Sequence, residues 1–166
     1  MPGTRHFPRM TYHVSRCLRE IVAPIQTLPT KQWETLKAEF NNKCAYCGHT
    51  ATKENRGIVP DHLIPVTRYG ELVLGNTVPS CQTCNDSRGE KDWRPFVRER
   101  FPEHAENRIA KIEAYIHRHP YHAASPESVF SKEEQDQYSQ LFEDWKALLE
   151  RAEKLQAVVE SRRKSK

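Results

Sequence analysis

Hydrophobic residues repeat at helical spacing through the C-terminal part of the chain. Residues 131–163 predict one long amphipathic helix, which Ser131 caps together with Glu134 three residues later. Its apolar positions are Tyr138, Leu141, Phe142, Trp145, Leu148, Leu149, Ala152, Leu155 and Val159. Such a stripe covers either a neighbouring element or a second copy of the chain. We favour packing on the helix predicted at 105–119 and on the core, because a dimer seam would show a stricter heptad.

Shorter helical patterns precede this long helix. The segment that follows Thr30 predicts a helix with Thr30 as its N-cap and with three aromatic or aliphatic residues at helical spacing: Trp33, Leu36 and Phe40. Two further helices are predicted at 94–101 and 105–119. The second carries three isoleucines on one face (Ile109, Ile112 and Ile116) and ends at Pro120.

Residues 1–29 have a different character, with four prolines and several arginines. They predict an irregular basic arm that contains a short helix near residues 15–22, which stops before Pro24. The whole chain carries a formal net charge of +4. A polyanionic partner is compatible with this charge, although basic termini also occur on proteins that bind no polyanion.

The helical period is lost over residues 44–92, where short segments are separated by glycine and proline. An apolar strand is predicted at 58–65, a second strand at 75–80, and a helix that opens at Cys81. The chain is therefore expected to be α+β, a small β–β–α core surrounded by α-helices that include the long C-terminal one. We divide it into the basic arm 1–29, the core 30–101 and the helical extension 102–166.

Composition excludes several classes of protein. The chain has 166 residues, of which 37% are hydrophobic and 29% charged, and its mean hydropathy is −0.83. No apolar run approaches the roughly 20 residues that a membrane-spanning helix needs, and the first ten residues lack the apolar part of a secretory signal. A cytoplasmic location is expected by default. The five cysteines are then more typical of metal ligands or free thiols than of disulfides.

Four of the cysteines form two C-x₂-C pairs, Cys44 with Cys47 and Cys81 with Cys84. Zn²⁺ prefers four soft ligands in a tetrahedron, and each such pair can present two thiolates to one ion. Four thiolates leave no open position for a substrate, so the predicted site is structural. Gly48 directly after the first pair predicts a positive φ angle. Cys17 has no such partner and is expected to be a free thiol.

The residues between the two pairs carry the candidate chemistry. They follow the pattern D-H-x-x-P … G-N-x-V-P-x-C-x-x-C-N-x-x-R-G, in which His62 lies 14 residues before Asn76 and 23 before Asn85. This pattern resembles the motif of the HNH endonucleases, in the subgroup with two C-x₂-C zinc pairs. The intervals are similar to those in the HNH domains of RNA-guided DNA nucleases. The resemblance covers about residues 43–92 and implies a ββα-metal core.

The residue types suit phosphodiester hydrolysis. An imidazole has an unperturbed pKa of about 6.5 and can take a proton from water near neutral pH, so His62 is the candidate general base. Asp61, from the other side of the strand end, and Asn85 are the candidate ligands of a catalytic Mg²⁺ or Mn²⁺. The resemblance implies that Asn76 fixes the loop between the strands. It also implies products with 5′-phosphate and 3′-hydroxyl ends.

Two hypotheses remain. The first is a DNA endonuclease, with double-stranded DNA as the expected substrate and either a monomer or a homodimer as its assembly. The second is a zinc-stabilised nucleic-acid-binding or adaptor module without catalysis, against which the intact Asp61, His62 and Asn85 argue. Arg88, Lys91 and Arg68 are candidate phosphate contacts, and a solvated side chain is the alternative for each of them.

Overall fold

The computed structural model describes residues 7–24 and 26–164, with side chains from residue 13 onward. The described residues form two compact units, one within the ranges 1–22 and 125–166 and the other within 23–124. These units group the chain differently from the arm, core and extension proposed above, because the segment 102–124 belongs to the compact unit that holds the core. None of the described helices is long and apolar enough to cross a membrane.

The unit of residues 23–124 is built around a two-stranded antiparallel sheet. Helix α2 (Thr30–Glu39) precedes strands β1 (Ile58–His62) and β2 (Thr77–Cys81), and helices α3 (Gln82–Arg88), α4 (Trp93–Arg100) and α5 (Ala105–Arg118) follow. The register pairs Asp61 with Val78 and His62 with Thr77. The α+β class, the β–β–α order and the surrounding helices predicted from the sequence are confirmed.

The core of this unit lies between the sheet and the helices. Its buried side chains come from α2, the first cysteine pair, β2, α3, α4 and α5, and include Leu36, Tyr46, Val78, Phe96, Val97, Ile109, Ile112 and Tyr115. The predicted apolar face of α5 is confirmed, with Ile109 and Ile112 buried and Ile116 packed against the cluster. The Tyr115 hydroxyl accepts a hydrogen bond from the Gly75 amide at 2.7 Å, and burial raises the pKa of Tyr115 to about 12.

Both strands are shorter or shifted relative to their predicted bounds. Strand β1 stops at His62 because the amide of Ile64 donates to the Asn76 side chain, and Pro65 has no amide hydrogen to offer a ladder. Strand β2 begins at Thr77 because Gly75 has a φ of +88°, outside the strand region. Thr30 is the first residue of α2 and Pro29 occupies the cap position, so the predicted Thr30 cap is wrong.

The second unit is helical. Helix α1 (Phe7–Glu20) packs on helix α7 (Lys132–Lys164), and the short helix α6 (Pro126–Val129) lies before α7. The predicted cap of α7 is confirmed, since Ser131 and Glu134 exchange hydrogen bonds between side chains and backbone amides. Helix α1 starts earlier than the predicted residue 15. Pro8 lies in its first turn, where no amide hydrogen is needed.

Candidate active site and metal centre

Four buried cysteines converge at one point between the first cysteine turn and the start of α3. One sulfur from each of Cys44, Cys47, Cys81 and Cys84 lies within 4.8 Å of the others. The Cys47 and Cys81 sulfurs are 3.8 Å apart. A tetrahedron with Zn–S bonds of about 2.3 Å has edges of about 3.8 Å, so the donor set and spacing fit zinc. Among the described residues, no other cluster of His, Cys, Asp or Glu meets the same criterion.

The first cysteine turn is folded to present its sulfurs. The Cys47 amide donates to the Cys44 sulfur at 3.4 Å, and the Gly48 amide donates to the Cys44 carbonyl at 2.9 Å. Gly48 has a φ of +73°, as predicted. Hydrogen bonds from Cys47 and Cys84 hold the pKa of Cys44 well below its usual value, while that of Cys47 rises to about 12, chiefly through its bond to Cys44. A divalent cation would supply the charge that four thiolates together require.

Strand β1 delivers Asp61 and His62 to one end of the hairpin. Successive residues of a strand point to opposite faces, so the two side chains leave the backbone on different sides. Asp61 is buried, whereas His62 is only partly buried. The strand therefore places a carboxylate in the interior beside a histidine that solvent can reach.

The Asp61 carboxylate is held by two partners. The Tyr46 hydroxyl donates to Oδ2 at 2.9 Å. The Arg88 guanidinium donates through Nε to Oδ2 at 2.9 Å and through Nη2 to Oδ1 at 2.7 Å. The ion pair is almost sealed from solvent, with 2% of the Arg88 side chain and 4% of the Asp61 side chain exposed. A charge-assisted, two-point contact of this kind fixes the direction of the carboxylate.

Arg88 is an interior residue and not a surface contact. Beyond Asp61, it donates to the backbone carbonyls of His62 and Lys91. Burial by itself lowers the pKa of Arg88, but the hydrogen bonds to Asp61 and the charges of Tyr46 and Asp61 outweigh it, and the pKa is raised. Arg88 was expected either to contact a phosphate or to be solvated. The structure shows neither, because its N–H groups donate inside the protein.

Asn76 joins the two sides of the loop that follows β1. Its side chain accepts from the Ile64 amide at 2.7 Å and donates to the carbonyls of Ile64 and Glu71 at 3.1 and 2.8 Å. Gly70 lies against this network, where a Cβ atom would fall 1.7 Å from the Ile64 carbonyl oxygen. Only glycine fits there. The loop geometry beside His62 therefore depends on one buried amide and one missing side chain.

The other predicted site residues lie nearer the surface. Asn85 is partly buried in α3, and within the described part of the chain no hydrogen bond engages its side-chain amide. Arg68 ends a short 3₁₀ helix after Pro65 and is exposed, as is Lys91 after α3. At these positions Asn85 can act as a metal ligand, and Arg68 and Lys91 can bind an anion from solution.

Two residues of the carboxylate network could not be assigned from the sequence. Tyr46 lies between the first pair of cysteines, a position for which the C-x₂-C pattern predicts no role, and its side chain is fully buried. Arg88 follows Asn85 by three residues, a spacing that places both on one side of α3. That spacing was the available signal that Arg88 belongs to the site, but it did not indicate the inward direction of its side chain.

Removing the guanidinium of Arg88 is expected to destabilise this unit strongly. The Arg88→Ala variant leaves the Asp61 carboxylate buried without its counter-charge, which costs about 3–5 kcal/mol. Urea denaturation followed by tryptophan fluorescence should show a correspondingly lower midpoint. The matched control is Arg98→Ala, because Arg98 pairs with Glu106 at the same 2.9 Å but on the surface. Equal losses for the two variants would contradict the assigned role of the buried pair.

Comparisons with known proteins point to the same segment of the chain. Residues 44–91 match the family model described as HNH endonuclease. The chain is also similar to a protein of Bacillus subtilis (strain 168) named "SPbeta prophage-derived putative HNH endonuclease YoqL", with 29% identity over 93 residues. That alignment covers 52% of this chain and 40% of the relative, so the chain spans well under half of the relative's length.

The matched segment begins at the first cysteine of the metal centre and ends at Lys91. It thus contains both cysteine pairs, both strands, α3 and the whole Tyr46–Asp61–Arg88 network. The chain carries a domain of the HNH endonuclease family, as the sequence motif predicted. The segments before residue 44 and after residue 91 lie outside this match.

Proposed function

We propose that this chain is a metal-dependent endonuclease that hydrolyses phosphodiester bonds in DNA, with double-stranded DNA as the substrate class. One observation carries the proposal. Within the family-matched segment, the end of β1 presents His62 toward solvent beside a carboxylate that Tyr46 and Arg88 orient. An orienting network of this quality is what a catalytic carboxylate needs, since catalysis requires fixed geometry.

His62 acts as the general base in this proposal. The imidazole takes one proton from a water molecule, and the resulting hydroxide forms a bond to phosphorus. The bond between phosphorus and the 3′ oxygen breaks, so the products carry a 5′-phosphate and, after protonation of the leaving oxygen, a 3′-hydroxyl. The partly exposed position of His62 allows water to reach it, and the backbone carbonyl of His62 is held by Arg88.

Asp61 and Asn85 are the residues that would hold the divalent cation. Asp61 Oδ2 accepts two hydrogen bonds and Oδ1 accepts one, so Oδ1 keeps one acceptor position. One carboxylate and one amide are few ligands, which fits Mg²⁺ or Mn²⁺ because these ions retain several waters. When bound, such an ion supplies Lewis-acid polarisation of the phosphate and stabilises charge on the leaving oxygen.

Exposed cationic side chains of this unit would bind the DNA backbone. Arg68 in the loop after β1 and Lys91 after α3 are both exposed and can pair with phosphates. Arg88 contributes indirectly, because its guanidinium holds Asp61 and the His62 carbonyl in place. The arginines of the predicted basic arm are further candidates, although the side chains of Arg5 and Arg9 lie outside the described residues.

A second candidate function has its own supporting observation. The Arg88 guanidinium already neutralises Asp61 in a buried pair, and a divalent cation would bind beside that positive charge. A chain in which Arg88 permanently replaces the cation would be a zinc-stabilised nucleic-acid-binding or adaptor module. The two functions differ in one measurable property, which is cleavage that depends on a divalent ion.

Plasmid cleavage separates the two functions. We expect the wild-type protein to nick or linearise plasmid DNA with Mg²⁺ or Mn²⁺ and to be inactive in EDTA. The Asn85→Ala variant removes one ligand oxygen, so half-maximal activity should need at least about tenfold more metal, because even outer-shell partners of a metal cost 10–100-fold. Gel quantification across a metal titration measures this shift.

The matched control is Asn107→Ala, which removes an exposed asparagine on α5 outside the matched segment. It should leave the metal titration unchanged. The wild-type protein could instead bind DNA without cutting double-stranded DNA, single-stranded DNA or RNA with any divalent ion. That result would refute the endonuclease and support the adaptor.

A further inference from the structure

Helix α7 has an apolar row that remains exposed. Leu141, Leu148 and Leu155 are 43%, 48% and 67% exposed, and Val159 adds 37%. The adjoining side of α7 is buried or partly buried, and its residues include Tyr138, Phe142, Trp145, Leu149, Ala152 and Gln156. The apolar stripe of α7 is therefore covered within the chain along one edge and open to solvent along the other.

The three leucines are spaced by seven residues. A seven-residue repeat returns to nearly the same side of a helix, so these side chains form one row about 21 Å long. The sequence had favoured internal packing of α7 on the ground that its heptad was loose. The three exposed leucines keep this seven-residue spacing, whereas Val158 and Val159, the other exposed hydrophobic residues of α7, lie outside it.

Charged residues flank the leucine row in a polarised order. Glu133 and Asp144 lie beside its N-terminal half, and Arg151 and Arg162 lie beside its C-terminal half. All four side chains are exposed. At about 100° per residue they fall on the same side of the row. Among the described residues, no ion pair involves Arg151 or Arg162.

The two patterns share one centre. Leu141 and Leu155 are each seven residues from Leu148. The midpoint between Asp144 and Arg151 lies half a residue before Leu148. Glu133 and Arg162 have that same midpoint. A helix related to α7 by a two-fold axis at Leu148 would therefore set leucine against leucine and acid against base. A parallel partner would place the charged flanks of the two helices on opposite sides of the leucine row, where these acid–base pairs could not form.

We propose that α7 pairs antiparallel with the α7 of a second copy of this chain, around a two-fold axis at Leu148. The interface is isologous, since each Leu141 meets the partner's Leu155 and each Asp144 meets the partner's Arg151. Charge complementarity along the row selects a second copy over an unrelated apolar segment. The pairing concerns assembly and does not depend on the proposed nuclease activity.

The first test is the solution mass of the full chain. A single row of leucines makes a small interface, so the dimer should form between about 1 and about 100 µM. Light scattering after gel filtration should give a mass that rises from 19.4 kDa toward twice that value. Leu148→Glu places two carboxylates on the axis and should keep the protein monomeric. A wild-type mass that stays monomeric, or a dimer that survives Leu148→Glu, would overturn the proposal.

Charge exchange tests the pairing itself. Asp144→Arg sets two arginines against each other at two symmetric positions and should raise the dimer dissociation constant about tenfold. Adding Arg151→Glu restores opposite charges and should return the constant to the wild-type value. The matched control is Glu150→Arg, the same charge change on the opposite side of α7, which should leave the constant unchanged. A double variant no tighter than the single one would count against this pairing.

Cysteine cross-linking tests the direction. In a Cys17→Ser background, which removes the exposed native thiol, a chain with Leu141→Cys is mixed with a differently tagged chain with Leu155→Cys. Mild oxidation in zinc-containing buffer should join the two different chains. Cross-links mainly between identical chains would indicate a parallel pair and overturn the antiparallel arrangement. Circular dichroism checks that each variant keeps its helix content.

Discussion

The His62→Ala variant is expected to lose cleavage almost completely while it keeps its fold. A positioned general base contributes about 10²- to 10⁴-fold to rate, and alanine provides no group to accept the proton of the attacking water. His62 is only partly buried and ends a strand that is paired along its length, so the substitution should disturb packing little. Single-turnover plasmid cleavage at saturating metal measures the loss.

Two measurements distinguish a loss of catalysis from a loss of folding. The zinc content and the thermal midpoint of His62→Ala should equal those of the wild type. His122→Ala is the matched control, because His122 is exposed in the segment after α5 and should cleave at the normal rate. If His62→Ala cut DNA as fast as the wild type, the general base would have to be another group.

Loss of the proposed structural zinc is expected to unfold the unit of residues 23–124, which contains the candidate active site. Structural zinc contributes about 10–16 kcal/mol in zinc-finger peptides, which is as large as the whole stability of a typical domain. The Cys84→Ser variant, or a strong chelator, should therefore abolish cooperative unfolding of residues 23–124 and lower the far-ultraviolet circular dichroism signal. Part of the helical signal should persist, since α7 belongs to the other compact unit.

Cys17→Ser is the control for this experiment, because Cys17 is exposed and lies outside the four-cysteine cluster. It should leave both the metal content and the unfolding transition unchanged. A chain stripped of metal that still unfolds at the wild-type temperature would show that the hydrophobic core alone suffices.

The sequence predicted those features that depend on local spacing. Two C-x₂-C pairs predicted the four-cysteine cluster, and the intervals from His62 to Asn76 and Asn85 predicted the HNH domain. The long helix and its Ser131 cap followed from periodicity and capping chemistry. Each of these rests on residues whose geometry is set within one turn or one short motif.

The features that escaped prediction depend on residues far apart in the chain. The Asp61 carboxylate meets Tyr46 from 15 residues before and Arg88 from 27 residues after. No local pattern reveals which of several arginines turns inward, because that choice is made by the packing of α3 on the sheet. The C-terminal end of β1 escaped for a related reason, since the Asn76 side chain competes with the strand ladder for the Ile64 amide.

Tyr46 physically links the proposed zinc site to the proposed catalytic carboxylate. Its backbone lies between Cys44 and Cys47 of the four-cysteine cluster, and its hydroxyl donates a hydrogen bond to the carboxylate of Asp61. Anything that loosens the sulfur cluster, such as thiol oxidation, would therefore withdraw a hydrogen-bond donor from Asp61 before the rest of the fold is lost. A nuclease built this way would be silenced by oxidants through its scaffold, with its catalytic residues chemically intact.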